Sequence, residues 1–309
     1  MNLKNLLKNP KLYYQILTDK LSCNLDDKSY LNRRYKRKFG KNIDFENPKT
    51  FNEKLQWLKL NDRNPLYTTL VDKYKVKEWV AEKIGEEHVI PVLGVWNHFN
   101  EIEFNKLPNQ FVLKTNHGSG GVVICKSKSN NEYFNREGER LTLRNVKRMI
   151  TKSLKENYYL KAREWPYKNV VRKIFAEKFM IDESGCELKD YKFYCFNGSP
   201  EYVLVASERH KGVKFDYFDI NFNHIDCRPE DNAITMPQKP KNYDAMVTLS
   251  RILSQNIPHV RVDWYNVNGK IYFGELTFFD SGGLEDKREW DVVFGDLIDL
   301  SKAYCNKTV

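Results

Sequence analysis

An Asn-Gly pair, Asn268-Gly269, constrains the fold of this 309-residue chain more than any other local feature. It separates two runs, HVRVDWYNV and KIYFGELTFF, that are rich in β-branched and aromatic residues. Asn-Gly supplies the positive φ angles of tight hairpin turns, so the pattern predicts an antiparallel β-hairpin over residues 259–279.

The register of this hairpin decides which side chains share a face. A three-residue loop from Val267 to Gly269, with a left-handed glycine, places Arg261 opposite Glu275. One face then carries four polar residues: Arg261, Asp263, Glu275 and Thr277. A two-residue loop would instead separate Asp263 from Glu275.

Asp263 and Glu275 are two carboxylates side by side on a largely apolar face, where they repel each other and resist burial unless a cation lies between them. Mg²⁺ suits such oxygen ligands and usually shares its shell with nucleotide phosphates. Ser281, Gly282 and Gly283 add backbone N–H donors nearby. The alternative is a salt bridge between Arg261 and Glu275 on a solvent-exposed face. The residues alone leave both open.

A second hairpin is predicted by FVLKTNHGSGGVVIC, residues 111–125, in which Lys114 ends one strand and a glycine turn leads to the next. Gly118, Gly120 and Gly121 permit positive φ, and such a turn can direct several N–H groups at one anion. A phosphate site is one interpretation, and an ordinary hairpin with a surface lysine is the other. Neither GxxxxGK[ST] nor GxGxxG is present.

The order of patterns predicts an α+β fold. Helical patterns dominate residues 1–85, with Thr50 and Glu53 as a capping box and a second helix from about Leu70 to Ile84. Residues 86–176 contain the glycine hairpin and a helical pattern, which suits a small lid subdomain. Strand patterns dominate residues 177–309, which close with an amphipathic helix from Trp290 onward.

Composition narrows the class of protein. No apolar run reaches the ~20 residues of a membrane span, and the charged N-terminus is unlike a secretory signal, so we expect a cytoplasmic protein. The six cysteines are scattered without CxxC, which argues against a zinc site. The net charge of +10 favours a polyanionic partner. The basic segment 32–41 is typical of a solvated helix face, and the alternative is contact with an anionic surface.

Three separated pieces together resemble the TupA-like branch of the ATP-grasp enzymes: LVDKYKVKEWVAEKIGEEHVIPV, FVLKTNHGSGG, and RVDWY with GELTFFDSGG. Between them AEKFM resembles the hinge whose backbone binds adenine. PKTFNEKLQWLKLNDRNPLYTTLVDKY and DYKFYCFNG are similar to the TupA-like type in particular. The resemblance covers roughly residues 40–300.

The resemblance implies an ATP-grasp fold and an ATP-dependent ligase that phosphorylates a carboxylate and lets an amine attack the acyl phosphate. It assigns Mg²⁺ to Asp263, Glu275 and Thr277, although many such enzymes carry asparagine where Thr277 stands. Arg261 and Lys192 would steady the transferring phosphoryl group. The other implied residues would bind ATP, with Asp190 on the ribose: Lys73, Lys114, Gly118, Ser119, Gly120, Gly121, Glu177, Lys178, Phe179, Met180 and Asp190.

By analogy with that branch, we expect the substrates to be an amino acid and a uronic acid or related acidic sugar, in cell-wall or capsule synthesis. We expect no nucleic-acid partner. We do expect peripheral contact with the anionic inner face of the membrane. Arg209 either binds substrate or is an ordinary loop charge. Three alternatives remain. They are a glycosyltransferase, for which DYFDINF has the wrong Asp-x-Asp spacing, a sugar kinase, and a binding protein with a decayed ATP site.

Overall fold

The structure, a computed structural model, describes residues 25–183, 185, 188–208 and 212–304. Several residues that entered the sequence predictions lie outside these ranges: the N-terminal 24 residues, Cys186, Arg209 and Cys305. The described residues form helices and two antiparallel sheets, which confirms the predicted α+β class. The helices are α1 Asp27–Phe39, α2 Phe51–Asn61, α3 Tyr67–Leu70, α4 Val76–Ile84, α5 Leu143–Lys155, α6 Tyr159–Ala162, α7 Tyr243–Leu253 and α8 Trp290–Asp296.

Each sheet has six strands. The first sheet has the order β1-β6-β2-β3-β4-β5. Its strands are β1 Val92–Trp96, β2 Phe111–Thr115, β3 Val122–Ser127, β4 Glu132–Phe134, β5 Arg140–Leu141 and β6 Ile174–Lys178. The second sheet has the order β10-β9-β8-β7-β11-β12. Its strands are β7 Asp190–Phe196, β8 Ser199–Ser207, β9 Lys214–Asp219, β10 His224–Ile225, β11 His259–Val267 and β12 Lys270–Thr277.

The first sheet has a core of its own under α5. The side chain of Thr142 caps this helix by accepting from the N–H of Asn145 at 3.2 Å. Val146 and Ile150, four residues apart, form its buried stripe and join Phe111 in one apolar cluster. The cluster fixes the hairpin of β2 and β3, and with it the glycine turn.

The second sheet shares its core with the N-terminal helices. The predicted capping box of Thr50 and Glu53 begins α2. Phe51 and Leu55 of that helix are fully buried and belong to the same cluster as Phe193 and Trp264 of the sheet. The predicted division at residues 85 and 176 stays a prediction. Its second boundary lies inside β6 of the first sheet.

Two helix predictions need correction, and one helix was not predicted. The helix expected from Leu70 begins at Val76, because the Asp72 carboxylate accepts the N–H groups of Tyr74 and Lys75 in a preceding turn. The C-terminal helix is short and ends at Asp296. Helix α7 was not predicted from sequence. Its Ser250 accepts the indole N–H of Trp264 at 2.7 Å.

The hairpin does not take the register that a three-residue loop would give. The turn has two residues, since Val267 pairs with Lys270, and Asn268 and Gly269 both have positive φ. Asp263 nevertheless pairs with Glu275, because a β-bulge inserts Gly274 between the partners of Asp263 and Trp264. Arg261 therefore lies opposite Thr277 rather than Glu275, and all four polar residues share the expected face.

The basic segment 32–41 lies mostly in α1. Tyr35 is buried while Arg33, Lys36 and Lys38 are exposed, as a solvated helix face requires. Left-handed Gly40 ends the helix with its N–H on the carbonyl of Lys36. None of the helices in the described ranges combines the length and the apolar character needed to span a bilayer.

Candidate active site

The site is built on the paired strands β11 and β12. The bulge at Gly274 reverses which face the following residues occupy, so Phe273 and Leu276, three positions apart, are both buried in the core. Glu275 and Thr277 consequently face the opposite side, next to Asp263. A single extra residue thus brings two carboxylates to adjacent positions on one face.

Protein cations surround Asp263. Arg261 donates to both of its oxygens, from Nε at 2.7 Å and from Nη2 at 2.9 Å. Lys192 Nζ lies 2.5 Å from Asp263 Oδ2 and 3.1 Å from Asp190 Oδ2. Burial alone would lower the pKa of Arg261, but Asp263 and Asp280 outweigh it and raise that pKa well above its ordinary value. The salt bridge considered from sequence is therefore buried and goes chiefly to Asp263.

Glu275 is held by a different set of cations. Lys73 Nζ forms an ion pair with its Oε2, and Arg261 Nη2 lies 3.5 Å from its Oε1. Burial raises the pKa of Glu275, but Lys73, Arg261 and Lys192 together hold it well below its ordinary value. The carboxylate is ionised at neutral pH, and its side chain keeps 33% of its exposure.

Lys73 also joins this cluster to the glycine turn of the first sheet. Its backbone N–H donates to the carbonyl of Asn116 at 2.9 Å, and the Asn116 amide donates to Asp72 at 2.8 Å. The turn begins directly after Asn116. In the described part of the chain, the backbone N–H groups of residues 117–121 have no hydrogen-bond acceptor. They are free to bind an anion.

The glycines of the turn serve different purposes. Only Gly118 has a positive φ, of 71°, whereas Gly120 and Gly121 do not, contrary to the use expected for them. A Cβ on Gly118 would overlap the ring of Tyr158, and one on Gly121 would collide with the hydroxyls of Thr115 and Ser153. Ser119 interacts with Tyr158 as well. The turn is therefore closely packed against the connector between α5 and α6, residues 156–158.

Lys114 does not contact the carboxylates of the second sheet. It pairs with Glu177 on β6, which also accepts Lys77 of α4 at 2.6 Å. Burial raises the pKa of Glu177, but the two lysines outweigh it and lower the pKa to about 2. The predicted hinge continues from here: Lys178 N donates to Pro91 O at 3.0 Å, and Phe179 and Met180 follow the strand, half-buried.

Sequence reasoning missed Asp280, Lys287, Gln56 and Lys59. Asp280 pairs with Arg261 and accepts the Tyr194 hydroxyl at 2.7 Å, while Lys287 lies 3.4 Å from it. The sequence signal was FFDSGG itself, in which an acid precedes the small residues.

The turn after Asp280 is itself unusual. Ser281, Gly282 and Gly283 are consecutively left-handed. Gln56 Nε2 donates to the Gly282 and Gly283 carbonyls at 2.9 and 2.7 Å, and Lys59 Nζ donates to the Gly282 carbonyl at 2.7 Å. Side chains of helix α2 thus hold this turn by hydrogen bonds to its carbonyls.

The arrangement fits a nucleotide-bound magnesium ion better than a metal site made by protein alone. Among the described residues, no three His, Cys, Asp or Glu side chains are grouped to hold a metal. Mg²⁺ needs only one or two carboxylates when phosphates complete its shell. Asp263 and Glu275 could supply these, in place of their present pairing with protein cations, and the Thr277 hydroxyl lies 3.4 Å from Glu275 Oε1.

Comparisons with known proteins identify the family of the chain. The family model described as TupA-like ATPgrasp matches residues 53–299. No curated protein sequence matches the chain. Among solved structures, the chain resembles D-alanine-D-alanine ligase from Helicobacter pylori with 12% identity and a TM-score of 0.43, covering 80% of this chain and 69% of that one.

Two further solved structures carry bound nucleotide. D-alanine-D-alanine ligase from Bacillus anthracis complexed with ATP shows 13% identity and a TM-score of 0.39, covering 75% of this chain and 68% of that one. The ATP-grasp ligase PsnB complexed with minimal precursor, Mg and ADP shows 10% identity and a TM-score of 0.36. That match covers 74% of this chain and 57% of PsnB.

Proposed function

The chain belongs to the TupA-like ATP-grasp family, and from this premise we propose that it uses ATP to join an amino acid to a uronic acid or related acidic sugar. Membership confirms the predicted family and the predicted enzyme class, an ATP-dependent carboxylate–amine ligase. The named substrates, and a role in capsule or cell-wall polysaccharide synthesis, are the proposal.

One observation carries the proposal. Lys73 pairs with Glu275 through its ammonium group and donates to Asn116, at the start of the glycine turn, through its backbone. The free N–H groups of residues 117–121 and the paired Asp263 and Glu275 are therefore tied together by one residue. This supports the proposal, because a triphosphate with its metal ion needs N–H donors and carboxylates within one cleft.

The roles of the residues follow from their charges. Residues 117–121 and Lys114 would bind the phosphates of ATP, and Lys178–Met180 with Asp190 would bind the adenosine. Asp263 and Glu275 would hold Mg²⁺, which offsets negative charge on the phosphates when bound. Arg261 and Lys192 would neutralise the oxygens of the transferring phosphoryl group.

The substrate assignment rests on charge and on the chemistry of the ligase reaction. A net charge of +10 favours acidic substrates, and a carboxylate-bearing sugar meets the requirement of an acyl-phosphate ligase for a carboxylate. We place the reaction in the cytoplasm, where ATP is supplied, with peripheral contact at the inner face of the membrane. The exposed basic residues of α1 are suited to such contact.

The test is an assay of ADP and phosphate release with ATP, Mg²⁺, glucuronic acid and a mixture of amino acids. The proposal predicts release only when the acid and an amine are both present, with a new amide detected by mass spectrometry. Sugar transfer from a UDP-sugar would instead identify a glycosyltransferase. A stable phosphosugar with ADP would identify a kinase, and no detectable Mg·ATP binding by calorimetry would identify a binding protein.

A further inference from the structure

Glu164 is a buried carboxylate that no cation or donor holds. It lies between α6 and the turn Trp165–Asn169 and keeps only 6% of its exposure. Within the described ranges, no hydrogen-bond donor reaches its carboxylate, and no Lys, Arg or His nitrogen lies within 4.0 Å. A buried carboxylate without a partner is costly, and such groups concentrate at functional sites.

The position of Glu164 places it at the candidate active site. A Cβ on Gly282 would lie 3.7 Å from Glu164 Oε1, so the carboxylate borders the left-handed turn that follows Asp280. Two tyrosines, Tyr158 and Tyr167, interact electrostatically with both Glu164 and Glu275. Their ring centroids are 4.7 Å apart. Tyr158 also packs on the glycine turn, so this group spans the cleft between the two sheets.

Other charges face Glu164 from each neighbouring element. Lys59 approaches from α2, Arg34 from α1 and Asp280 from the turn after β12. Lys59 is already committed to the Gly282 carbonyl and to Gln56. Burial raises the pKa of Glu164 to about 7, against the opposing influence of Lys59 and Arg34.

The other acids of the cleft are unsuited to accept a proton. Asp263 and Glu275 pair with lysine and arginine, Asp280 pairs with Arg261, and Glu177 pairs with two lysines. Cations that pair with a carboxylate weaken it as a base. Among these five acids, Glu164 alone has no such partner.

We propose that Glu164 binds the amino group of the amino-acid substrate and takes a proton from it, an inference that rests on the proposed ligase function. The ammonium form predominates at neutral pH and cannot attack. One of its three protons passes to the Glu164 carboxylate, and the nitrogen lone pair forms a bond to the carbonyl carbon of the acyl phosphate. The C–O bond to phosphate breaks, phosphate leaves with the electron pair and takes a second proton, and the third stays on the amide.

The experiment compares two nucleophiles in wild type and Glu164→Gln. Hydroxylamine is largely uncharged at neutral pH and traps an acyl phosphate without needing a base. We expect hydroxamate formation by the variant to stay within about twofold of wild type, while amide formation at pH 7 falls about 100-fold. Amide formation by wild type should rise through about pH 7, and this dependence should be absent from Glu164→Gln. Glu164→Asp should recover part of the amide rate.

Glu156→Gln is the matched control, because Glu156 lies in the connector between α5 and α6 and pairs with Lys161 at 2.8 Å. It should leave both rates unchanged. Amide formation by Glu164→Gln at the wild-type rate would overturn the inference. An equal loss of both products would also overturn it, because Glu164 would then be only structural. Failure of wild type to form any hydroxamate would instead refute the ligase function itself.

Discussion

Glu177 and Glu275 are both strand carboxylates held by lysines, but their surroundings differ. Glu177 lies on the first sheet between Lys77 and Lys114, and its side chain is 5% exposed. Glu275 lies on the second sheet beside Lys73, and its side chain is 33% exposed. Neighbouring cations lower the pKa of both. The comparison shows that similar ion pairs can serve the fold in one sheet and remain open to a ligand in the other.

The largest expected effect is on catalysis, at the more exposed carboxylate, Glu275. Glu275→Gln keeps the shape of the side chain but removes the charge that would hold Mg²⁺, so we expect turnover to fall about 10³-fold, or about 4 kcal/mol. Steady-state kinetics measure the loss.

The control is Glu201→Gln on β8 of the same sheet, which should retain full activity. Thermal unfolding of Glu275→Gln should stay within a few degrees of wild type. A loss of turnover below tenfold would remove Glu275 from the metal site.

The next effect is on stability, at the buried carboxylate, Glu177. Glu177→Gln leaves Lys77 and Lys114 without their shared carboxylate in a buried position. We expect the free energy of unfolding to fall by about 3 kcal/mol, measured by urea denaturation. If Glu177→Gln were as stable as Glu275→Gln, the contrast between the two sites would be wrong.

The pH dependence of this difference sharpens the contrast. The folded pKa of Glu177, about 2, is below its ordinary value of 4.5, so its stabilising effect is complete above pH 4.5 and is lost as the pH falls toward 2. The difference in unfolding free energy between wild type and Glu177→Gln should therefore shrink by about 2 kcal/mol from pH 5 to pH 3. A difference that stays constant over this range would contradict the assignment.

The smallest effect concerns Lys114, one of the two lysines that pair with Glu177. Lys114→Met should weaken Mg·ATP binding about tenfold, or about 1.4 kcal/mol, because it removes one charge near the glycine turn. Calorimetry at fixed Mg²⁺ measures it. Lys126→Met on the exposed side of β3 serves as the comparison and should bind ATP like wild type. Equal affinities of the two variants would restrict Lys114 to the ion pair with Glu177.

Local patterns predicted much of this molecule. The Asn268-Gly269 turn, the capping box at Thr50 and the glycine hairpin are short-range features, and each is present. The bulge at Gly274 was not predictable, because it depends on burying both Phe273 and Leu276 against residues distant in sequence. Helix α7 was missed for a similar reason, since its packing partner Trp264 follows it in the chain.

The residues of the candidate site were named from the sequence, but their contacts with one another were not. Arg261, Asp263, Lys192 and Glu275 do meet, as the resemblance implied. Lys73, expected only to bind nucleotide, proves to be the link between the sheets. No spacing rule reveals this, because 202 positions separate it from Glu275.

The bulge at Gly274 shifts the alternation of side chains along β12 by one position. Residues 270–273, between the turn and Gly274, follow one inward and outward alternation, and residues 275–277 follow the opposite one. If β12 passed through Gly274 as a regular strand without the bulge, Glu275 would turn toward the apolar interior and Leu276 toward the cleft. The bulge at this glycine therefore determines which side chains of β12 face the cleft and which face the core.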